Sequence, residues 1–181
     1  MDKKQENLPK ITVFTDGSKM GTEETQKVGA GAIIYYPDNT KTLTKPLAPE
    51  NTINQAELMA IEMVADEIND NLNKEDRHEI TIYTDSQTTI HKLFNKWSTS
   101  KQLTNTVTKL QCLQAQARHN LRIEKVKAHA NIEVNEIADT LAKEATKDSR
   151  QTQNEVGLNK AIIKARLQSW LKEKNTEQLI K

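Results

Sequence analysis

Apolar residues along the chain follow two rhythms. Ile11 to Thr15, Val28 to Tyr36, Thr40 to Lys45, Ile80 to Thr84 and Leu121 to Val126 are short β-branched or aromatic runs, which predict strands. Glycines within Val28–Tyr36 suggest a bulge or a close backbone approach. Pro37-Asp38-Asn39 predicts the turn of a hairpin, so the first three strands form an antiparallel meander. Elsewhere the spacing is helical. Leu58, Ile61, Ala65, Ile68 and Leu72 make one stripe, capped by Thr52 or Asn54. Further helices are predicted from Gln87 to about Trp97, from Leu103 to about His119, and from Ile132 or Glu133 to Lys147. A meander followed by strand–helix crossovers predicts an α/β fold: a five-stranded mixed sheet with helices on both faces. Residues 1–10 read as a loose leader, 11–148 as the domain and 149–157 as a polar linker. A last amphipathic helix falls within 158–181, with Ile163, Leu167, Trp170 and Leu171 as its apolar side.

One stretch is echoed. Ile11-Thr12-Val13-Phe14-Thr15-Asp16-Gly17-Ser18 returns as Ile80-Thr81-Ile82-Tyr83-Thr84-Asp85-Ser86-Gln87. In both, a strand ends in Thr-Asp and a small residue predicts a turn, with a loop over Gly17 to Gln26 in the first copy. If the two strands are parallel neighbours, Asp16 and Asp85 lie at one height at the carboxyl edge of the sheet, where ligands bind in open α/β folds. Such a pair repels unless a proton or cation lies between. Glu57 opens the helix that packs on the sheet, and Asp139 sits between Ala138 and Ala142, which allow a partner to approach closely. Four carboxylates are hard oxygen donors suited to Mg²⁺ or Mn²⁺.

Composition narrows the classes. With 35% hydrophobic and 28% charged residues in 181, the chain suits a soluble domain with a real core. No apolar run reaches the ~20 residues of a membrane span, and the charged start is no secretory signal. A single cysteine, Cys112, excludes an intrachain disulfide framework and fits an intracellular setting, cytoplasm or nucleus. The net charge of +1 hides an asymmetry. Glu50 to Asp85 holds ten acids and two bases, whereas His91 to Lys127 holds eight bases and one acid. That suggests an acidic site beside a polyanion-binding face, with Lys92, Lys96 and Lys101 around Trp97, the alternative being two ordinary solvated helix surfaces. His78, His91 and His119 read as surface histidines.

Thr15-Asp16-Gly17-Ser18, Ala56-Glu57-Leu58, Thr84-Asp85-Ser86, His129 and Asn135-Glu136-Ile137-Ala138-Asp139 occur in the order found in type 1 ribonucleases H, and the chain resembles that family from Ile11 to about Lys147. The resemblance implies an RNase H-like fold and hydrolysis of the RNA strand of RNA/DNA hybrids with two Mg²⁺ ions, Mn²⁺ substituting. The products would carry 5′-phosphate and 3′-hydroxyl ends. It implies that Asp16, Glu57, Asp85 and Asp139 hold the ions and that His129 assists proton movement or product release. Gly17, Ser18, Asn54 and Gln87 would contact the hybrid's minor groove, and Thr52 a DNA phosphate. The tail resembles the helix that follows this domain in non-LTR retrotransposon polyproteins, which implies a reverse transcriptase region as a partner. Three features depart from the family pattern. Ala56 stands where some members have a basic residue, only Trp97 to Gln102 replaces a basic handle, and Lys127-Ala128 precedes His129. Weak, salt-sensitive hybrid binding is therefore expected. The alternatives are a catalytically weak domain binding hybrid or double-stranded RNA, and a DNA-acting nuclease of the same superfamily.

Overall fold

A computed structural model describes residues 7–73, 75–94, 112, 114–126, 132–151, 167–168 and 170–174. The element order is β1 (Lys10–Met20), β2 (Lys27–Tyr35), β3 (Thr40–Leu47), α1 (Ile53–Asn71), β4 (Glu79–Thr84) and α2 (Gln87–Phe94). There follow α3 (114–118), β5 (Asn120–Lys125), α4 (Ile132–Ala145), a 3-10 helix (Thr146–Gln151) and a helical turn over 170–174. The five strands form one sheet in the order β3-β2-β1-β4-β5. β1 is antiparallel to β2, β2 antiparallel to β3, and β1–β4 and β4–β5 are parallel. The expected mixed sheet with its antiparallel meander is present.

Strand alternation divides the core between two layers. On one face Ile11, Val13, Ala32, Ile34, Ile80, Ile82, Leu121 and Ile123 pack against Leu58, Ile61, Val64, Ala65 and Ile68 of α1, with Leu93 of α2 and Ala115 of α3 beside them. On the other, Phe14 and Ile33, flanked by Tyr35 and Tyr83, meet Ala138 of α4. Phe14 and Tyr83 stack at 5.2 Å. Gly31 explains how close α4 lies: a β-carbon there would come 2.4 Å from the Ala142 nitrogen. The glycines of β2 thus serve close approach by a helix rather than a bulge.

Three expectations are revised. β1 does not stop at Thr15. Ser18, Lys19 and Met20 pair with Gly29, Val28 and Lys27, because backbone hydrogen bonding to β2 tolerates polar side chains. His119 is buried, not a surface group, and its Nδ1 accepts the backbone N–H of His78 at 3.1 Å. Burial and the nearby His78 hold its pKa below the ordinary value. The polar stretch after Lys147 is not yet linker. Buried Ser149 accepts the N–H of Val28 at 2.8 Å and donates to the Leu47 carbonyl at 2.5 Å, tying the 3-10 helix to β2 and β3. Ser149 is therefore packed against the sheet. The basic segment is partly engaged where it is described: Arg118 donates to the Asn69 carbonyl, and Arg122 pairs with Glu79 and Glu124. Trp97 and Lys96 lie outside the described residues. In the tail, Leu167, Trp170 and Leu171 are exposed. No helix among the described residues is long and apolar enough to cross a membrane.

Ser149→Ala leaves a buried N–H of Val28 without its acceptor. We expect a loss of about 1–3 kcal/mol, read as a lower urea midpoint at unchanged m-value.

Candidate metal centre

Parallel pairing places the two Thr-Asp segments side by side. Phe14 stands opposite Tyr83, so two residues further Asp16 comes level with Asp85. The ladder between the strands ends there, because β4 closes at Thr84 while β1 continues alongside β2 alone. Thr15 Oγ1 donates to the Tyr83 carbonyl at 3.2 Å and ties the strand ends together. Beyond β4, the Ser86 N–H donates to Thr84 Oγ1, and Ser86 Oγ accepts from Thr89 N and Oγ1 at 3.2 and 2.8 Å. This capping turn presents Asp85 at the surface, at the start of α2.

Glu57 arrives from the layer on the opposite side of β1. Thr52 caps α1 in a full capping box with Gln55, which fixes the helix start. The first turn then lies directly on Gly17, where a β-carbon would stand 2.6 Å from the Glu57 nitrogen. Only glycine permits this approach, and it lets the Glu57 carboxylate reach Asp16 past the end of β4. Ligand oxygens of Asp16, Glu57 and Asp85 consequently lie within 4.8 Å of one another.

The electrostatics follow from burial. Asp16 and Glu57 are each 6% exposed. Burial first, then the charge of Asp85, pushes Asp16 up to about 7, against the 2.9 Å hydrogen bond that Gly17 N donates to its Oδ1. Burial, then Asp16 and Asp85, pushes Glu57 up to about 9. Glu57 Oε2 is buried with no hydrogen-bond partner among the described residues. An unpartnered carboxylate oxygen facing two further carboxylates is a donor set that fits a hard divalent cation.

Asp139 stands apart from this group. It is on α4, and its Oδ2 accepts from Lys143 Nζ at 2.8 Å, one turn further along. Its charge still reaches the centre, since it raises Asp16 slightly. Lys143 is the residue that sequence reasoning did not single out; its spacing of four from Asp139 was the available signal. Asn135, one turn before Asp139, has a buried amide oxygen without a partner among the described residues. Gly17 and Ser18 are buried in β1, Thr52 and Asn54 sit at the start of α1, and Gln87 is the exposed first residue of α2. These positions flank the carboxylates at the carboxyl edge of the sheet. His129 lies outside the described residues.

Comparison with known proteins gives a consistent picture. The profile of the family described as RNase H matches residues 9–147. A ribonuclease H of Serratia proteamaculans is 33% identical over 160 residues, covering 83% of this chain and 96% of its own. Among solved structures, RNase H1 of the archaeon Halobacterium salinarum aligns with a TM-score of 0.58 at 21% identity, over 77% of this chain and 98% of that one. The foamy viral protease-reverse transcriptase in complex with RNA/DNA hybrid aligns with a TM-score of 0.62 at 18% identity, over 81% of this chain and 22% of that one.

The raised carboxylates set the pH dependence of the metal-free fold. Folded Asp16 and Glu57 keep protons that the unfolded chain releases above pH ~4. Their contribution is therefore fully present below that range and declines as pH rises toward 9, by up to about 1.4 kcal/mol per pH unit for each retained proton. We expect the melting temperature in chelator to fall between pH 6 and 9, and Glu57→Gln to flatten that fall. Added Mg²⁺ should raise the melting temperature more at pH 9 than at pH 6, because cation and proton compete for the same oxygens.

Proposed function

Because the chain belongs to the RNase H family, we propose that its carboxylate centre hydrolyses the RNA strand of RNA/DNA hybrids. The chain is an endoribonuclease, a hydrolase, and the observation that carries the reading is the gathering of Asp16, Glu57 and Asp85 oxygens within 4.8 Å. Family membership adds that the activity is metal-dependent, and the donor set suits two Mg²⁺ ions, with Mn²⁺ able to substitute. When bound, the ions supply charge neutralisation at the scissile phosphate and a more acidic attacking water.

The protein's part is to prepare oxygens and position the strand. Asp16 is the central ligand, level with Asp85 and in reach of Glu57. Glu57, whose burial favours the protonated form, would hold an ion through its carboxylate oxygens. Asp139 would join the set as a further oxygen donor; in this structure its carboxylate accepts from Lys143. His129 moves a proton or helps the product leave, a role suited to a group that titrates near neutral pH. Thr52 holds a DNA phosphate, and the backbone of Gly17 and Ser18 with the amides of Asn54 and Gln87 reads 2′-hydroxyls, which need both donors and acceptors. The products carry 5′-phosphate and 3′-hydroxyl ends. The further expectation, a reverse transcriptase region of the same retrotransposon polyprotein as partner, rests on the resemblance of the tail, and the foamy viral likeness adds only the shared fold.

The test offers labelled hybrid, double-stranded RNA, double-stranded DNA and single strands, with Mg²⁺, Mn²⁺ or chelator. Cleavage confined to the RNA of the hybrid and abolished by chelator is expected; cutting of DNA would move the chain to a DNA-acting branch of the superfamily. Asp16→Asn should lower turnover by about 10³-fold or more. His129→Ala should cost about 10- to 100-fold, and losses of equal size would contradict the division of labour between ligand and proton carrier.

A further inference from the structure

Along α4, which also carries Asp139, the helix and the turn end of the β1–β2 hairpin border an open recess of about 370 Å³. Lys27, Lys143 and Lys147 line it, with Glu144 as the one acid and Met20, 45% exposed, as its apolar wall. The lining carries a charge of +2. Lys143 is bound to Asp139, but among the described residues Lys27 and Lys147 have no acidic partner, and both are exposed. The two hydroxyls in the lining already donate inward, Thr140 to the Glu136 carbonyl and Thr146 to the Lys143 carbonyl. What the recess offers a visitor is ammonium charge. Lysine ammonium is a mobile point charge that grips phosphate oxygens without fixing their orientation. Such contacts recognise a nucleic-acid backbone whatever its sequence.

Position identifies the occupant. Lys143 joins the recess to the site, since its Nζ touches Asp139 and also feels Asp16. Lys147 follows in the 3-10 helix, and Lys27 closes the recess opposite Met20, its partner at the end of the β1–β2 ladder. A strand with one phosphate at the carboxylates that ran on along α4 would bring its next phosphates toward these ammonium groups. We infer that this recess is a backbone subsite, in which Lys27 and Lys147 hold phosphates of one strand of a bound RNA/DNA hybrid beside the cleavage point. The inference rests on the function proposed above and extends it to residues outside the basic segment His91 to Lys127. The exposed thioether of Met20 provides an adaptable apolar surface against a sugar or base.

The test is hybrid affinity as a function of salt, measured in the Asp16→Asn background so that the hybrid is not consumed. Lys27→Ala combined with Lys147→Ala should weaken binding about tenfold at low salt and reduce the log–log salt slope by about 1 to 2, as expected for two lost phosphate contacts. Lys10→Glu removes the same amount of charge from the opposite end of β1 and should leave the slope unchanged. An unaltered affinity in the double variant, or an equal loss in Lys10→Glu, overturns the subsite. Should Asp16→Asn not bind hybrid and the wild-type chain not cut it, the functional reading falls as well. A wild-type chain that cuts hybrid while the double variant binds as tightly as its parent removes the subsite alone.

Discussion

Three acidic side chains, two of them buried, have oxygens within 4.8 Å of one another, and their charges repel. That repulsion is the constraint on which the rest of the structure depends. The fold holds the cluster together by spending other elements on it: the parallel β1–β4 ladder brings two strand ends level, and the capped start of α1 presses Glu57 onto Gly17. A proton can relieve the strain, as the upward shift of Glu57 indicates, and a hard cation relieves it better, because it satisfies several oxygens at once. The same oxygens can thus accept a proton or serve a cation, and the strand pairing beneath them keeps the two Thr-Asp ends level.

Lys143 belongs to the same accounting. An acid that is left partly exposed on a helix finds the nearest base at a spacing of four, and Asp139 does so. The pair puts a positive charge near Asp16. An acidic centre and a cationic rim therefore share one helix, which suits a site that must admit dications and polyanions together.

Much of this was readable in the chain because it is periodic. The echoed Ile-Thr-Val-Phe-Thr-Asp and Ile-Thr-Ile-Tyr-Thr-Asp runs announce two like strands, and the stripe from Leu58 to Ile68 announces the helix that covers them. From these, Asp16, Glu57 and Asp85 follow. Less was readable where partners come from far along the chain. The polar residues Ser18 and Lys19 resemble a loop but are strand, since β2 supplies their backbone partners. Ser149 looks like linker composition until Val28 and Leu47 claim its hydroxyl. His119 has no local sign of burial; what buries it is the start of β4 some forty residues earlier in the chain. Periodicity reports what an element needs from its neighbours in general, whereas these residues are decided by which neighbour arrives.

The seam between β2 and α4 has a mechanical consequence. Gly29 and Gly31 face Ala142 and Ala145 at backbone-to-backbone distance, with no long side chains between them. Contacts of that kind have no rotamers to exchange, so the helix cannot slide or roll on the sheet without breaking the seam outright. Asp139 thus rides on a stiff beam anchored to the sheet. Where its carboxylate points is set by its own two side-chain torsions and by the lysine arm it is paired with, not by the helix that carries it.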